Sequence, residues 1–147
     1  MTTESKQEVT APTVTFLGMM HEGVPCRTED LEACVRFYTE VLGLKLLPRP
    51  KALDKLGPGA WLSDPNDRVQ FHLIANDTDF SPGPDAAVSP AGRHTAWVVE
   101  DIDSFCDRMD ALNVSWESID SLIGARQVFV TDPAGHTWEF QGPPTSK

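Results

Sequence analysis

Three histidines and one glutamate, His21, His72, His94 and Glu139, are the residues of this 147-residue chain whose types could do chemistry together. Three imidazoles and a carboxylate suit Zn, Ni, Co, Mn or Fe(II) rather than Ca or Cu(I). Taken singly each is bland, since a glutamate on the polar face of a strand usually meets solvent and a histidine is usually a satisfied, half-buried ring. Their placement in an internal repeat changes that. Val130-Thr-Asp-Pro-Ala-Gly-His-Thr-Trp-Glu-Phe140 answers Leu62-Ser-Asp-Pro-Asn-Asp-Arg-Val-Gln-Phe-His-Leu73, and His94-Thr-Ala-Trp97 followed by Glu100-Asp-Ile answers His21-Glu-Gly-Val24 followed by Glu29-Asp-Leu. The chain has four histidines; three occupy the repeat's special positions, and Glu139 occupies the fourth. The remaining one, His136, falls in a turn and is expected to be exposed.

Elements that could hold these residues follow from pattern. Asp132-Pro133-Ala134-Gly135 has the preferences of a type I turn between two strands. Alternation beyond it sends Trp138 and Phe140 to one face and Thr137, Glu139 and Gln141 to the other. In the first copy Val69, Phe71, Leu73 and Ala75 share a face, and Gln70, His72 and Ile74 take the opposite one. Val14 to Val24 reads as a strand ending near Pro25. Thr28 offers an N-cap to a helix whose stripe is Leu31, Cys34, Val35, Tyr38, Val41 and Leu42, closed by Gly43. Leu44 to Leu47 resumes as a strand, with a short helical turn at Ala52 to Leu56. In the second copy, a strand from Arg93 to Val99 precedes a helix from Asp101 to Leu112 with Ile102, Phe105, Met109 and Leu112 as its core stripe. Val114 to Glu117 and Ala125 to Thr131 then lead into the hairpin. The expected class is α+β: two βαβββ modules form a paired, cupped mixed sheet with helices packed outside. Residues 1–13 are a polar lead-in, 14–75 module one, 76–92 a Pro- and Gly-rich linker, 93–141 module two, and 142–147 a tail. Each module offers one ligand from its first strand and one from its last, so a pseudo-twofold would gather all four.

Composition sets the broad class. An apolar fraction of 40% and a charged fraction of 23% are ordinary for a globular domain. A net charge of −10 argues against nucleic acid as a partner, because phosphates would be repelled. No apolar run is long enough to span a membrane and the N-terminus is no signal peptide, so a cytoplasmic location is the default expectation. Three cysteines, Cys26, Cys34 and Cys106, lack metal-finger spacing and form no even disulfide set.

With Gly59-Ala-Trp-Leu62, Phe71-His-Leu-Ile74, Gly92-Arg-His-Thr95 and Asp132-Pro-x-Gly135 in hand, the chain resembles the vicinal oxygen chelate superfamily over residues 14–141, and glyoxalase-I-like members in particular. That superfamily includes glyoxalase I, extradiol dioxygenases and drug-sequestering binders. The resemblance implies one divalent metal per site held by His21, His72, His94 and Glu139, with Glu139 or His72 moving a proton next to the carbonyl of a small substrate that chelates through vicinal oxygens. Asn76 matches a glutathione-contacting position, and Arg93 and Arg126 are candidate contacts for an anionic substrate group. Three positions depart from better-known members: His72 stands where bacterial glyoxalase I has Glu, Val24-Pro25-Cys26 stands where a glutathione-contacting Arg follows the first ligand, and Phe129 stands where extradiol dioxygenases usually have Tyr. Four protein ligands on a six-coordinate metal leave two open positions, which suits lyase or isomerase chemistry. With His72 off the metal, His21, His94 and Glu139 make the 2-His-1-carboxylate triad of Fe(II) oxygenases. A non-catalytic binder is a further alternative. A homodimer is the expected assembly, and the cup could close within one chain or across two.

Overall fold

The two Asp-Pro turns build the hairpins on which everything else is hung. In the second, the Gly135 amide donates to the Asp132 carbonyl at 2.9 Å, while Asp132 Oδ1 accepts the amides of Ala134 and His136 at 3.0 and 2.8 Å. The first turn repeats the device: the Asp67 amide reaches the Asp64 carbonyl, and the Asp64 carboxylate collects the amides of Asn66, Arg68 and Val69. Gly135 has φ +90° and its counterpart Asp67 φ +56°, so the same left-handed corner is made by glycine in one copy and by aspartate in the other.

A computed structural model of the chain describes residues 15, 17–77, 82–88, 90, 94–120 and 126–143. Its strands are β1 (His21–Cys26), β2 (Lys45–Leu47), β3 (Gly59–Ser63), β4 (Gln70–Ala75), β5 (Thr95–Val98), β6 (Glu117–Ile119), β7 (Gln127–Thr131) and β8 (Thr137–Gln141). They form two four-stranded mixed sheets of matching order, β1-β4-β3-β2 and β5-β8-β7-β6, in which the first strand of each unit pairs in parallel with the last. This is the α+β arrangement of paired βαβββ units that the repeat implies. Helix α1 (Leu31–Arg36), preceded by a 3-10 turn, runs into a π-helical turn at Phe37–Val41, and α2 (Ile102–Ala111) is its counterpart. Among the described residues no helix is long and apolar enough to cross a membrane.

Alternation sorts faces as expected: Phe71, Leu73, Trp138 and Phe140 are buried in one continuous core with Cys34, Tyr38, Cys106 and Met109 from the helices. The core joins the two units. Phe71 packs on Trp97 and Trp138 with ring centroids 5.2 and 5.3 Å apart, and the Tyr38 hydroxyl donates to the buried carboxylate of Asp132. Arg108 of α2 donates to the carbonyls of Glu40 and Val41, both at 2.8 Å, capping the end of the first helical segment.

Several local expectations are corrected. β1 begins at His21 rather than at Val14, and it ends at Cys26, beside the expected stop at Pro25; the proline is tolerated because β1 lies at the end of its sheet and, among the described residues, pairs on one side only. Thr28 does not cap the helix with its own side chain; the Asp77 carboxylate takes the Thr28 amide at 2.8 Å and hydroxyl at 3.0 Å. The wider π turn buries Phe37 as well as Tyr38, which a 3.6-residue stripe does not anticipate. Leu112 is 44% exposed, because Asn113 at φ +55° ends α2 and the Val114 amide turns back to the Met109 carbonyl, a Schellman closure. Val114 therefore belongs to this cap, and β6 starts at Glu117.

Candidate functional site

Register places the four ligand candidates in corresponding positions. His72 of β4 lies between Gly23 of β1 and Trp61 of β3, and Glu139 of β8 lies between Ala96 of β5 and Phe129 of β7. His21 and His94 stand two residues before Gly23 and Ala96. The small neighbours leave room on each ligand face.

The structure brings the four together as two pairs. In the first unit the His21 and His72 rings stack at 4.1 Å, and His72 is stacked on its other side by Trp61, also at 4.1 Å and within 2° of parallel. His72 Nε2 donates to Gln70 Oε1 at 2.9 Å. Burial, then the neighbouring His21, lowers the His72 pKa, so its ring is neutral at pH 7. In the second unit His94 Nε2 meets Glu139 Oε2 at 2.9 Å, with Glu139 only 4% exposed. The other carboxylate oxygen, Oε1, accepts the side-chain amides of Gln127 at 2.6 Å and Gln141 at 2.7 Å. Burial pushes the Glu139 pKa up, but these two amides and His94 outweigh it, and the group is held below the usual glutamate range.

Imidazole nitrogens and a carboxylate oxygen are the donors a borderline divalent cation takes, and the part-buried His94–Glu139 contact has two such atoms converging, so the residues fit a metal. Within one chain, and among the described residues, no group of three or more potential ligands is close enough to share an ion.

A cleft of about 600 Å³ runs along the junction of the two units, lined by Gly23, Pro25, Ile74, Asn76, His94, His136 and Thr137 among others. At its floor the Thr95 hydroxyl donates to Glu22. Asn76 thus lies where a small molecule could reach it together with His94. Arg126 does not line the cleft; its guanidinium is 2.8 Å from Asp103, 3.6 Å from Asp120 and over the Trp116 ring. Arg93 lies outside the described residues. His136 is not an exposed turn residue: it is half-buried, and its Nε2 donates to the Pro25 carbonyl at 2.5 Å, tying the second hairpin to β1.

Reading strand by strand missed Gln127, Trp61 as a stacking partner, and the inward turn of His136. The first two could have been found by counting outward from the Asp-Pro turns, since hairpin register follows from the turn. His136 carries no such local signal.

Comparison with known proteins agrees with this fold. The sequence profile described as Glyoxalase/Bleomycin resistance protein/Dioxygenase superfamily matches residues 23–140. No curated protein matches. Similar solved structures include a glyoxalase family protein from Bacillus anthracis (TM-score 0.74, 23% identity, covering 90% of this chain and 100% of that one). An antibiotic binding protein from a Streptomyces species follows (0.68, 19%, covering 90% and 100%). A lactoylglutathione lyase from Agrobacterium tumefaciens is also similar (0.60, 19%, covering 90% and 96%). At these identities the structures speak for the fold, and the profile match speaks for the family. The chain belongs to the glyoxalase, bleomycin resistance protein and dioxygenase superfamily, the vicinal oxygen chelate proteins.

Proposed function

We propose that this protein is a divalent-metal enzyme that moves a proton next to the carbonyl of a small molecule bearing two vicinal oxygens, in the manner of glyoxalase I. The observation that carries this reading is the His94–Glu139 pair: a buried carboxylate oxygen and an imidazole nitrogen 2.9 Å apart, repeated in position by His21 and His72. His21, His72, His94 and Glu139 would hold the ion, which would be Ni, Co, Mn, Zn or Fe(II). When bound, such an ion acts as a Lewis acid that polarises a carbonyl and acidifies the adjacent C–H. His72, kept neutral by burial and by His21, would accept the proton only after leaving the ion, because its single lone-pair nitrogen cannot hold both. Glu139, anionic and bonded through Oε1 to two amides, stays a ligand and is a poor base. Asn76 and the cleft at the unit junction receive the rest of the substrate.

Because each face of one chain brings two ligands, the full set is completed in a homodimer, the His21–His72 pair of one copy facing the His94–Glu139 pair of the other. The partner is a small molecule, and nucleic acid and membranes are not partners of this acidic chain.

A second reading is favoured by one detail. His72 is sandwiched between Trp61 and His21 with Nε2 turned to Gln70, an orientation that would leave His21, His94 and Glu139 as a facial triad for an Fe(II) dioxygenase. Metal loading followed by turnover of α-ketoaldehyde–thiol adducts and of catechols, with and without air, separates the readings. Anaerobic turnover with Ni, Co, Mn or Zn is expected. Stoichiometric oxygen uptake would replace the lyase or isomerase reading with the dioxygenase, and absence of metal under every loading condition would leave a ligand-sequestering protein.

A further inference from the structure

We infer that Gln127 and Gln141 are positioning residues that hold Oε1 of Glu139, so that the carboxylate offers a ligand through Oε2 alone. This deepens the proposed function and rests on it. The two glutamines are cross-strand partners on β7 and β8, on the same face as Glu139. Their amides donate to one and the same oxygen, at 2.6 and 2.7 Å, while the opposite oxygen faces His94. An oxygen carrying two amide hydrogen bonds has its outward lone pairs occupied. The side chain can then neither rotate about its last bond nor swing both oxygens onto one ion without breaking both bonds.

The repeat supplies an internal comparison. In the first unit the positions matching Gln127 and Gln141 are Gly59 and Ile74, which pair with each other just as the glutamines do. There the matching ligand is His72, a ring with one lone-pair nitrogen at a time, which cannot chelate through two atoms. Gln70 also touches His72, but through its carbonyl oxygen, so among the described residues two amide N–H donors converge only on the ligand that has a second oxygen to restrain. The consequence is a site with one more open coordination position than a two-oxygen carboxylate would leave, the position a second substrate oxygen needs.

The test has two parts with separate readouts. In metal-free protein the side-chain amide signals of Gln127 and Gln141, followed by 15N NMR, should move together on Glu139→Ala while backbone signals of β2 stay in place. Unmoved amides overturn the inference whatever the metal does. With Co(II) as the probe, Gln127→Leu with Gln141→Leu should weaken binding roughly tenfold to a hundredfold, the range seen when groups supporting a metal ligand are removed. The visible spectrum of bound Co(II) should also lose intensity, as the freed carboxylate binds through both oxygens and raises the coordination number. Binding within twofold of wild type and an unchanged spectrum overturn the inference. Should the double variant not fold, Gln141→Leu alone, which removes one amide at a half-exposed position, is read in the same way. A wild-type chain that takes up no Co(II) would overturn the metal reading and the ligand role of the clamp, whereas amides that fail to move would overturn the clamp alone.

Discussion

Tyr38 is the only tyrosine in the chain, which makes an alkaline titration report on one side chain. Its ring is fully buried, edge-on to Trp138 at 5.4 Å, and its hydroxyl donates to Asp132 across the junction of the two units. Burial first, then the charge and hydrogen bond of Asp132, push its pKa well above the ordinary value of 10.0. In the unfolded chain the phenol returns to that ordinary value. The folded state therefore keeps the proton to higher pH than the unfolded state. Its contribution to stability is whole below pH 10 and is lost as pH rises toward the folded pKa, at about 1.4 kcal/mol per pH unit. Each pH unit of that rise is a sizeable part of a typical domain's margin of roughly 5–15 kcal/mol. The assay is tyrosinate absorbance against pH, with fluorescence of the four tryptophans and near-ultraviolet circular dichroism recorded on the same samples. Tyrosinate should appear only as the tertiary signals are lost, the curves coinciding. A reversible ionisation with its midpoint near pH 10 in protein that keeps its native dichroism would refute the buried Tyr38–Asp132 contact.

A methyl group at Gly135 would meet the Gly83 carbonyl oxygen at 1.9 Å and the Ala86 side chain at 2.9 Å, on a backbone already at φ +90°. Gly135→Ala should therefore cost roughly 2–5 kcal/mol in urea unfolding, the sum of left-handed strain and overpacking against main chain; a loss under about 1 kcal/mol would mean the turn and the 83–86 segment are not in contact. His94→Ala should weaken Co(II) binding by at least the tenfold expected of a lost ligand partner, while His136→Ala, which removes only the bond to the Pro25 carbonyl, should leave the affinity near wild type and lower the melting temperature. Equal losses of affinity would place His136 among the ligands.

What could be read without coordinates was whatever the chain repeats. The Asp-Pro turns, the alternation that buries Trp138 and sends Glu139 to the other face, and the matched places of His21, His72 and His94 are local patterns, and duplication doubles each signal. Contacts that depend on how one segment meets a distant one were not legible. Asp77 capping a helix start 49 residues earlier, Tyr38 reaching Asp132, and His136 turning in toward Pro25 all arise from docking of separate pieces. That β1 continues one residue past Pro25 was not legible for a related reason: whether proline is tolerated in a strand depends on whether a neighbour needs its missing donor, and that is a property of sheet order. The pairing of Gln127 with Gln141 lay between these cases, being fixed by the turn yet invisible to alternation along one strand.

The parallel attachment of β1 and β5 at the ends of their sheets has a kinetic meaning. Each hairpin closes over a short turn, whereas β1 and β5 must find β4 and β8 across 43 and 38 intervening residues, at the entropic cost of closing a long loop. β1, which begins at His21, and β5, which follows His94, are thus expected to join their sheets after the hairpins bearing His72 and Glu139 have formed. On the proposed reading, two of the four ligand candidates would stand on early-formed hairpins and two would arrive with the strands that close last.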